Sequence, residues 1–258
     1  MSVGTATTVL EVRNITVRFG GQVAVDDCSL DFSRGIVTGI IGPNGAGKST
    51  LMNVIAGIQR PASGTVRLET DDITGKSPYI LARRGLVRSF QHARVFGHMS
   101  VLDNLIVGVP RQTGDHFWKM LAGPRTWRAE ERQSEERALS LLAGFRLDGY
   151  AHSRCSELSG GQRRIVEYLR VLMTEPRVLL LDEPSVGLAP WLVEKLSADL
   201  RRLSSEGCTV LLIEHEMNLI QKACDVIVGM VSGKPVVSGS FSDILSNETL
   251  QAAYLGRV

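Results

Sequence analysis

The chain has 258 residues, enough for one large domain or two small ones, and its 43% hydrophobic and 22% charged content is that of an ordinary globular protein. A net charge of +2 is too small to point to nucleic acid, and no apolar run approaches the roughly 18 residues of a membrane-spanning helix. The start of the chain has no basic cluster and no long apolar core, so no signal peptide is expected. Cys28, Cys155, Cys208 and Cys224 are too scattered for a metal site or a disulfide framework, and idle or buried thiols in a reducing cytosol are expected.

Residues 9–19, with apolar Val12, Ile15, Val17 and Phe19, read as a partly alternating strand. Gly20-Gly21 is a two-residue hairpin signal. Residues 23–25 and 29–32 continue an antiparallel β region, and Arg34-Gly35 turns the chain into a buried strand at 36–41. The next stretch is Gly42-Pro43-Asn44-Gly45-Ala46-Gly47-Lys48-Ser49-Thr50, followed by a helix through 51–56. Its spacing, Gly, four residues, then Gly-Lys-Ser/Thr, fits a phosphate-binding loop. Gly42, Gly45 and Gly47 let the backbone curl with its N–H groups inward, and the helix start adds positive partial charge. Lys48 supplies a full charge for the β- and γ-phosphates, and Ser49 a hydroxyl for Mg²⁺. A nucleoside triphosphate is the expected ligand.

Residues 61–64 form a turn cluster and 65–68 a strand; a short helix is expected at 79–84 and an extended stretch at 85–91, ending on Gln91. From about 92 to 158 the texture changes to Gly and Pro breaks and a charged run, which reads as a mostly helical subdomain inserted in an α/β core. Trp118, Met120 and Leu121 lie in its least regular part, where packing on the following helix is favoured over a partner surface. Helices at 162–174, 190–203 and 217–223 then alternate with strands at 178–181, 210–213, 226–230 and 235–237. Ser232-Gly233 joins the last two strands, and short helices follow at 241–245 and 249–254. Alternation of this kind around a phosphate loop predicts an α/β nucleotide-binding core with a mainly parallel sheet.

The strand at 178–181 ends in Asp182 and Glu183. A carboxylate there can hold Mg²⁺, directly or through water, and that role falls to Asp182. Glu183 is the candidate general base for an attacking water. His215 follows the strand at 210–213 and reaches the same edge if the two strands are neighbours. Leu158-Ser159-Gly160-Gly161-Gln162 makes a second anion-binding turn at a helix start, without a lysine of its own. Such an element can complete the site of another copy, which predicts a head-to-tail dimer with two nucleotides at its interface.

The ordered set of Gly42 to Thr50, Gln91, Leu158 to Gln162, Asp182-Glu183 and His215 resembles the ATP-binding subunit of ABC transporters over nearly the whole chain. The resemblance implies an ATPase acting with ATP and Mg²⁺. It implies that Phe19 stacks on adenine and that Gln91 senses Mg²⁺ and the membrane partner. Ser159 and Gly161 would touch the γ-phosphate bound by the opposite subunit, with Gly160 and Gln162 in the same turn, and His215 would be the switch histidine. The stretch from Val87 to Phe96, then Ser100 to Leu105, Ile213 to Met217 and the ending Ala253-Tyr254-Leu255-Gly256, resembles importers of branched-chain amino acids and related amides such as urea. The expected partners are membrane permease subunits and a second ATPase subunit, identical or different, with an extracytoplasmic solute-binding protein acting indirectly and no nucleic acid. The implied location is the cytoplasmic face of the inner membrane, held there through the permeases. Ala189 stands where the superfamily usually has Asp or Asn bridging the two sites, and Leu169 where a small Ala is usual. An exporter of a lipid-like substrate and a soluble, non-transport ABC ATPase are the competing readings.

Overall fold

The computed structural model describes residues 7–89, 95–110 and 124–255, with the backbone alone for 124–128. Gln91 lies outside the described residues, as do Phe90 and His92 to Arg94 beside it, Trp118, Met120 and Leu121. The chain divides into two compact units.

The first unit comprises Met1–Arg88, Arg177–Ser185 and Val193–Val258. β1 (Thr8–Phe19) and β2 (Gln22–Ser33) form an antiparallel hairpin in which Phe19 faces Gln22 across the Gly20-Gly21 turn. β2 is one strand and not the expected two pieces. The interruption at Asp26-Asp27 is a bulge: Asp27 takes a φ of 51° and its Oδ1 accepts from Asn14 Nδ2 at 2.9 Å, so the strand bends and continues. β4 (Ser63–Leu68) and β5 (Asp71–Asp72) complete a four-stranded sheet of order β2-β1-β4-β5. β4 starts inside the expected turn cluster because Ser63 pairs with Thr16 of β1.

The second sheet is six-stranded, of order β10-β9-β3-β8-β7-β6. It contains β3 (Val37–Ile41), β6 (Leu86–Arg88), β7 (Val178–Asp182), β8 (Thr209–Ile213), β9 (Val226–Val231) and β10 (Lys234–Gly239). All neighbours run parallel except the β9–β10 hairpin. Every residue of β3, β7 and β8 is buried, as a parallel sheet covered on both faces requires. The main core joins both sheets to α1 (Lys48–Ile55): Leu51, Met52 and Ile55 pack with Val12, Phe32, Ile40, Leu180 and Leu211. α2 (Pro78–Arg83) precedes β6.

The second unit comprises Ser89–Pro176 and Val186–Leu192. It is helical: α3 (Val101–Ile106) packs on both α4 (Pro124–Gly144) and α5 (Gly160–Leu172). Its core includes Leu105, Leu142, Phe145, Ile165 and Leu169, and Phe145 meets Tyr168 edge-on with centroids 6.0 Å apart. Ser100 caps α3 by accepting from Asp103 N at 3.0 Å. Val186–Leu192 is tied to this unit by Arg164 Nη1, which donates to Val186 O at 2.9 Å, and by the Arg146 guanidinium over the Trp191 ring.

The remaining helices are α6 (Pro190–Ser205), α7 (Met217–Ala223), α8 (Phe241–Leu245) and α9 (Glu248–Tyr254). All four cysteines are free and buried, and burial pushes the thiols of Cys28, Cys208 and Cys224 up to about 12. Such thiols stay protonated and inert.

Candidate functional site

β3 pairs in parallel with β8, and β8 with β7, so the loops that leave their C-terminal ends open on one edge. In open α/β sheets that edge is where ligands bind. The first loop runs from Gly42 into α1. Gly47 caps α1 with a φ of 92°, and a Cβ there would stand 2.3 Å from Ala24 O, a space no side chain can enter. Pro43 and Thr50 are half-buried, Ala46 is buried, and Asn44, Gly45 and Ser49 are exposed. Lys48 opens α1 and folds back over the loop, donating from Nζ to Gly42 O at 2.7 Å and Pro43 O at 3.0 Å. Burial lowers its ammonium from the ordinary lysine value, and the nearby Glu183 and Asp182 carboxylates oppose that drop.

Asp182 ends β7 and is buried. Its Oδ2 accepts from Arg88 Nη2 at 2.9 Å, and Arg88 also donates to Asn53 Oδ1 on α1. Burial raises the Asp182 carboxyl above the usual aspartate range, and the Arg88 charge pulls against it. Oδ1 is buried with no hydrogen-bond partner. An orphaned carboxylate oxygen at this depth costs on the order of 1–3 kcal/mol, and a hard cation would satisfy it. Among the described residues no group of three or more His, Cys, Asp or Glu side chains forms an all-protein metal site. A cation at Asp182 would therefore draw further oxygens from hydroxyls, such as that of Ser49, and from bound phosphate.

Glu183 follows with a φ of 49°, its N–H donating to Ile213 O at 2.9 Å across to β8. That left-handed turn is costly for a non-glycine residue and marks a position held by its surroundings. His215 lies beyond the end of β8, and its Nε2 is 3.3 Å from Glu183 Oε1. The two strands are neighbours, with Asp182 in register with Ile213, so the condition set for His215 is met. Lys48, Asp182, Glu183 and His215 thus form one electrostatically linked group on a single sheet edge.

Sequence reasoning missed two residues of this group. Arg88 is the partner of Asp182, and only its place in β6, beside β7, discloses that. Glu214 is buried and accepts from Ser185 N at 2.8 Å through Oε1, and from His215 N at 3.0 Å and Glu216 N at 3.2 Å through Oε2. It joins the loop after β7 to the loop after β8. An acid directly after an all-buried strand was the available signal.

Phe19, at the hairpin end of β1, is 51% exposed, which leaves its ring open to a planar ligand. In the helical unit Ser159 is the N-cap of α5, with Gly160, Gly161 and Gln162 as its first residues. Ser159 Oγ accepts from Gln162 N at 3.3 Å, and Gln162 Oε1 accepts from Ser159 N at 2.9 Å. This reciprocal pair fixes the direction of the helix N-terminus, whose remaining N–H groups can take an anion.

Residues 25–186 match the ABC transporter family, more than half of the chain. The chain is 39% identical over 249 residues to the high-affinity branched-chain amino acid transport ATP-binding protein BraF of Pseudomonas aeruginosa, covering 96% of this chain and 98% of that one. It is 34% identical over 249 residues to the LivG protein of Salmonella typhimurium, of the same description, with the same coverage. Among solved structures it resembles the ADP conformation of an ATP-binding cassette of an ABC transporter, with a TM-score of 0.81, 33% identity, and coverage of 97% of this chain and 99% of that one. Together with the phosphate loop on β3 and the acids ending β7, these matches show that the chain belongs to the ABC transporter family.

Proposed function

We propose that this chain binds and hydrolyses ATP to drive the import of a small solute through separate membrane permease subunits. The observation that carries this reading is the meeting of Lys48, Asp182, Glu183 and His215 at the ends of adjacent parallel strands. The descriptions of BraF and LivG support branched-chain amino acids as the solute, with related amides such as urea as the alternative within the same class of importer. No observation favours the exporter or the soluble ATPase.

Each residue then has a task. The Phe19 ring stacks on adenine. The loop at residues 42–50 holds the β- and γ-phosphates through its N–H groups from Asn44 onward and the Lys48 ammonium. Asp182 and Ser49, with Gln91, would hold Mg²⁺, which when bound neutralises phosphate charge. Glu183 accepts a proton from water as the water oxygen attacks the γ-phosphorus. The bond to the β–γ bridging oxygen breaks, giving ADP and inorganic phosphate. His215, beside Glu183, donates to the γ-phosphate, and Glu214 holds both loops in place. Ser159, Gly160, Gly161 and Gln162 complete the nucleotide site of a second ATPase subunit, identical or different, in a head-to-tail dimer. The chain acts as one cassette with a helical insertion at about 92–158. Among the described residues no helix is long and apolar enough to cross a membrane. In this reading the chain is held at the cytoplasmic face of the inner membrane through the permeases, and a solute-binding protein acts on them from the other side.

The test is Lys48→Ala, which removes the full positive charge of the loop. Productive MgATP binding, followed with a fluorescent analogue, is expected to be lost. Unchanged affinity would mean that the loop is not the site.

A further inference from the structure

The phosphate loop is fastened to the last helix of the described chain by one hydrogen bond. Gly42 N–H donates to the Tyr254 hydroxyl at 2.9 Å. Gly42 is buried at the point where β3 turns into the loop, with a φ of 151°. On its other side a Cβ would stand 2.1 Å from Met230 O of β9, so the backbone is already pressed against that strand. The β9–β10 hairpin grips the loop again at its far end, where Gly233 N–H donates to Ala46 O at 3.1 Å. Tyr254 holds Gly42 through its N–H, in addition to the contact with β9.

The placement of Tyr254 is built into α9 and β9. Asn247 caps α9 by accepting from Leu250 N at 2.9 Å. Leu250 is buried over Gly229, where a Cβ would come within 2.9 Å of its side chain. Gly229 pairs with Ile41, the residue before Gly42. Tyr254 lies one helical turn beyond Leu250, on the same face. The missing side chain at Gly229 therefore lets α9 settle where its next turn delivers a hydroxyl to the loop. Desolvation of the hydroxyl raises the phenol above the ordinary tyrosine value against the pull of the Gly42 N–H, although the residue as a whole is 43% exposed.

We infer that Tyr254 is a positioning residue for nucleotide binding, holding the first turn of the phosphate loop in its binding shape through the Gly42 N–H. This rests on the ATPase reading above. A buried N–H that loses its acceptor has to find water, and the loop then samples shapes in which its other N–H groups no longer converge. Nucleotide binding selects the converged shape, so apparent affinity falls by the fraction of time the loop spends elsewhere. Saturating nucleotide restores the loop and leaves the chemical step unchanged. α9 thereby sets nucleotide affinity from outside the phosphate site.

The test is Tyr254→Phe, which deletes the hydroxyl and keeps the ring. In the full chain, MgADP affinity is expected to fall about 3- to 10-fold, the loss of one ordinary hydrogen bond. The KM for MgATP should rise in step while kcat holds, the nucleotide-free melting temperature should change little, and the Gly42 amide should exchange faster with deuterium. Equal affinity in the two proteins would overturn the inference, whether or not Gly42 exchanges faster. So would a variant whose kcat and melting temperature fall together, since that is a general packing loss. Wild-type protein that does not bind MgADP would overturn the ATPase reading and, with it, the role given to Tyr254; normal wild-type binding keeps the two failures apart.

Discussion

Glu183 and Asp182 are adjacent acids with opposite surroundings. Asp182 is buried against Arg88, and its carboxyl is raised by desolvation. Glu183 is only partly buried, turned by a φ of 49° to the open edge where His215 stands. The first suits a fixed charge partner, the second a group that handles water. Glu183→Gln keeps the shape and the hydrogen-bonding reach but cannot take a proton. It should bind MgATP as the wild type does and turn over roughly 10²-fold more slowly, or worse. An ATP-bound dimer should accumulate, because the closed state no longer decays through hydrolysis. Rate assays with sizing in MgATP check this. A variant that hydrolyses ATP normally and stays monomeric would remove both the base and the head-to-tail dimer.

At the scale of elements, α5 shows how a short sequence can carry two messages. The sequence Ser159-Gly160-Gly161-Gln162 reads as an anion-binding turn, and in the structure the Ser159 and Gln162 side chains also form a capping box, each accepting from the other's backbone N–H. Ser followed three residues later by Gln is the local sign of such a cap. The cap uses only acceptor oxygens, so the Ser159 O–H and the first backbone N–H groups of the helix can still donate to an anion. Ser159→Ala should therefore cost stability, about 0.5–2 kcal/mol in denaturant unfolding. An unchanged unfolding midpoint would mean that the cap contributes nothing. The parallel strands were legible for a related local reason: residues 178–181 and 210–213 are unbroken apolar runs, and both are wholly buried. The single β2 was not legible, because a bulge that rests on Asn14 and Asp27 meeting across two strands leaves no mark in either strand alone. Arg88, Glu214 and Tyr254 were missed as site residues on the same ground, since each acts through a partner distant in the chain or through backbone groups.

For the molecule as a whole, ATP chemistry has to reach a membrane partner, and the apolar residues Val95, Phe96 and Met99, in the segment that leads into α3, can serve either as core or as contact surface. Phe96 is 50% exposed. Its backbone, in contrast, is firmly held: buried Asn104 accepts from Phe96 N at 2.8 Å and donates to Phe96 O at 3.0 Å and Ser100 O at 2.9 Å. The ring lies against the Arg170 guanidinium, 5.3 Å from the centroid. A fixed backbone presenting an aromatic residue about half of whose surface stays in water is arranged for display. Aromatic residues, Phe among them, are enriched in the cores of protein interfaces. Phe96→Ala should leave MgATP binding and the melting temperature of the isolated subunit nearly intact, and in the assembled transporter should depress solute uptake far more than ATP hydrolysis. Reconstituted uptake measured beside the ATPase rate, with the cognate permeases present, decides it. Equal loss of both activities, together with a lowered melting temperature, would return Phe96 to the core of the helical unit and leave the permease contact to be sought elsewhere.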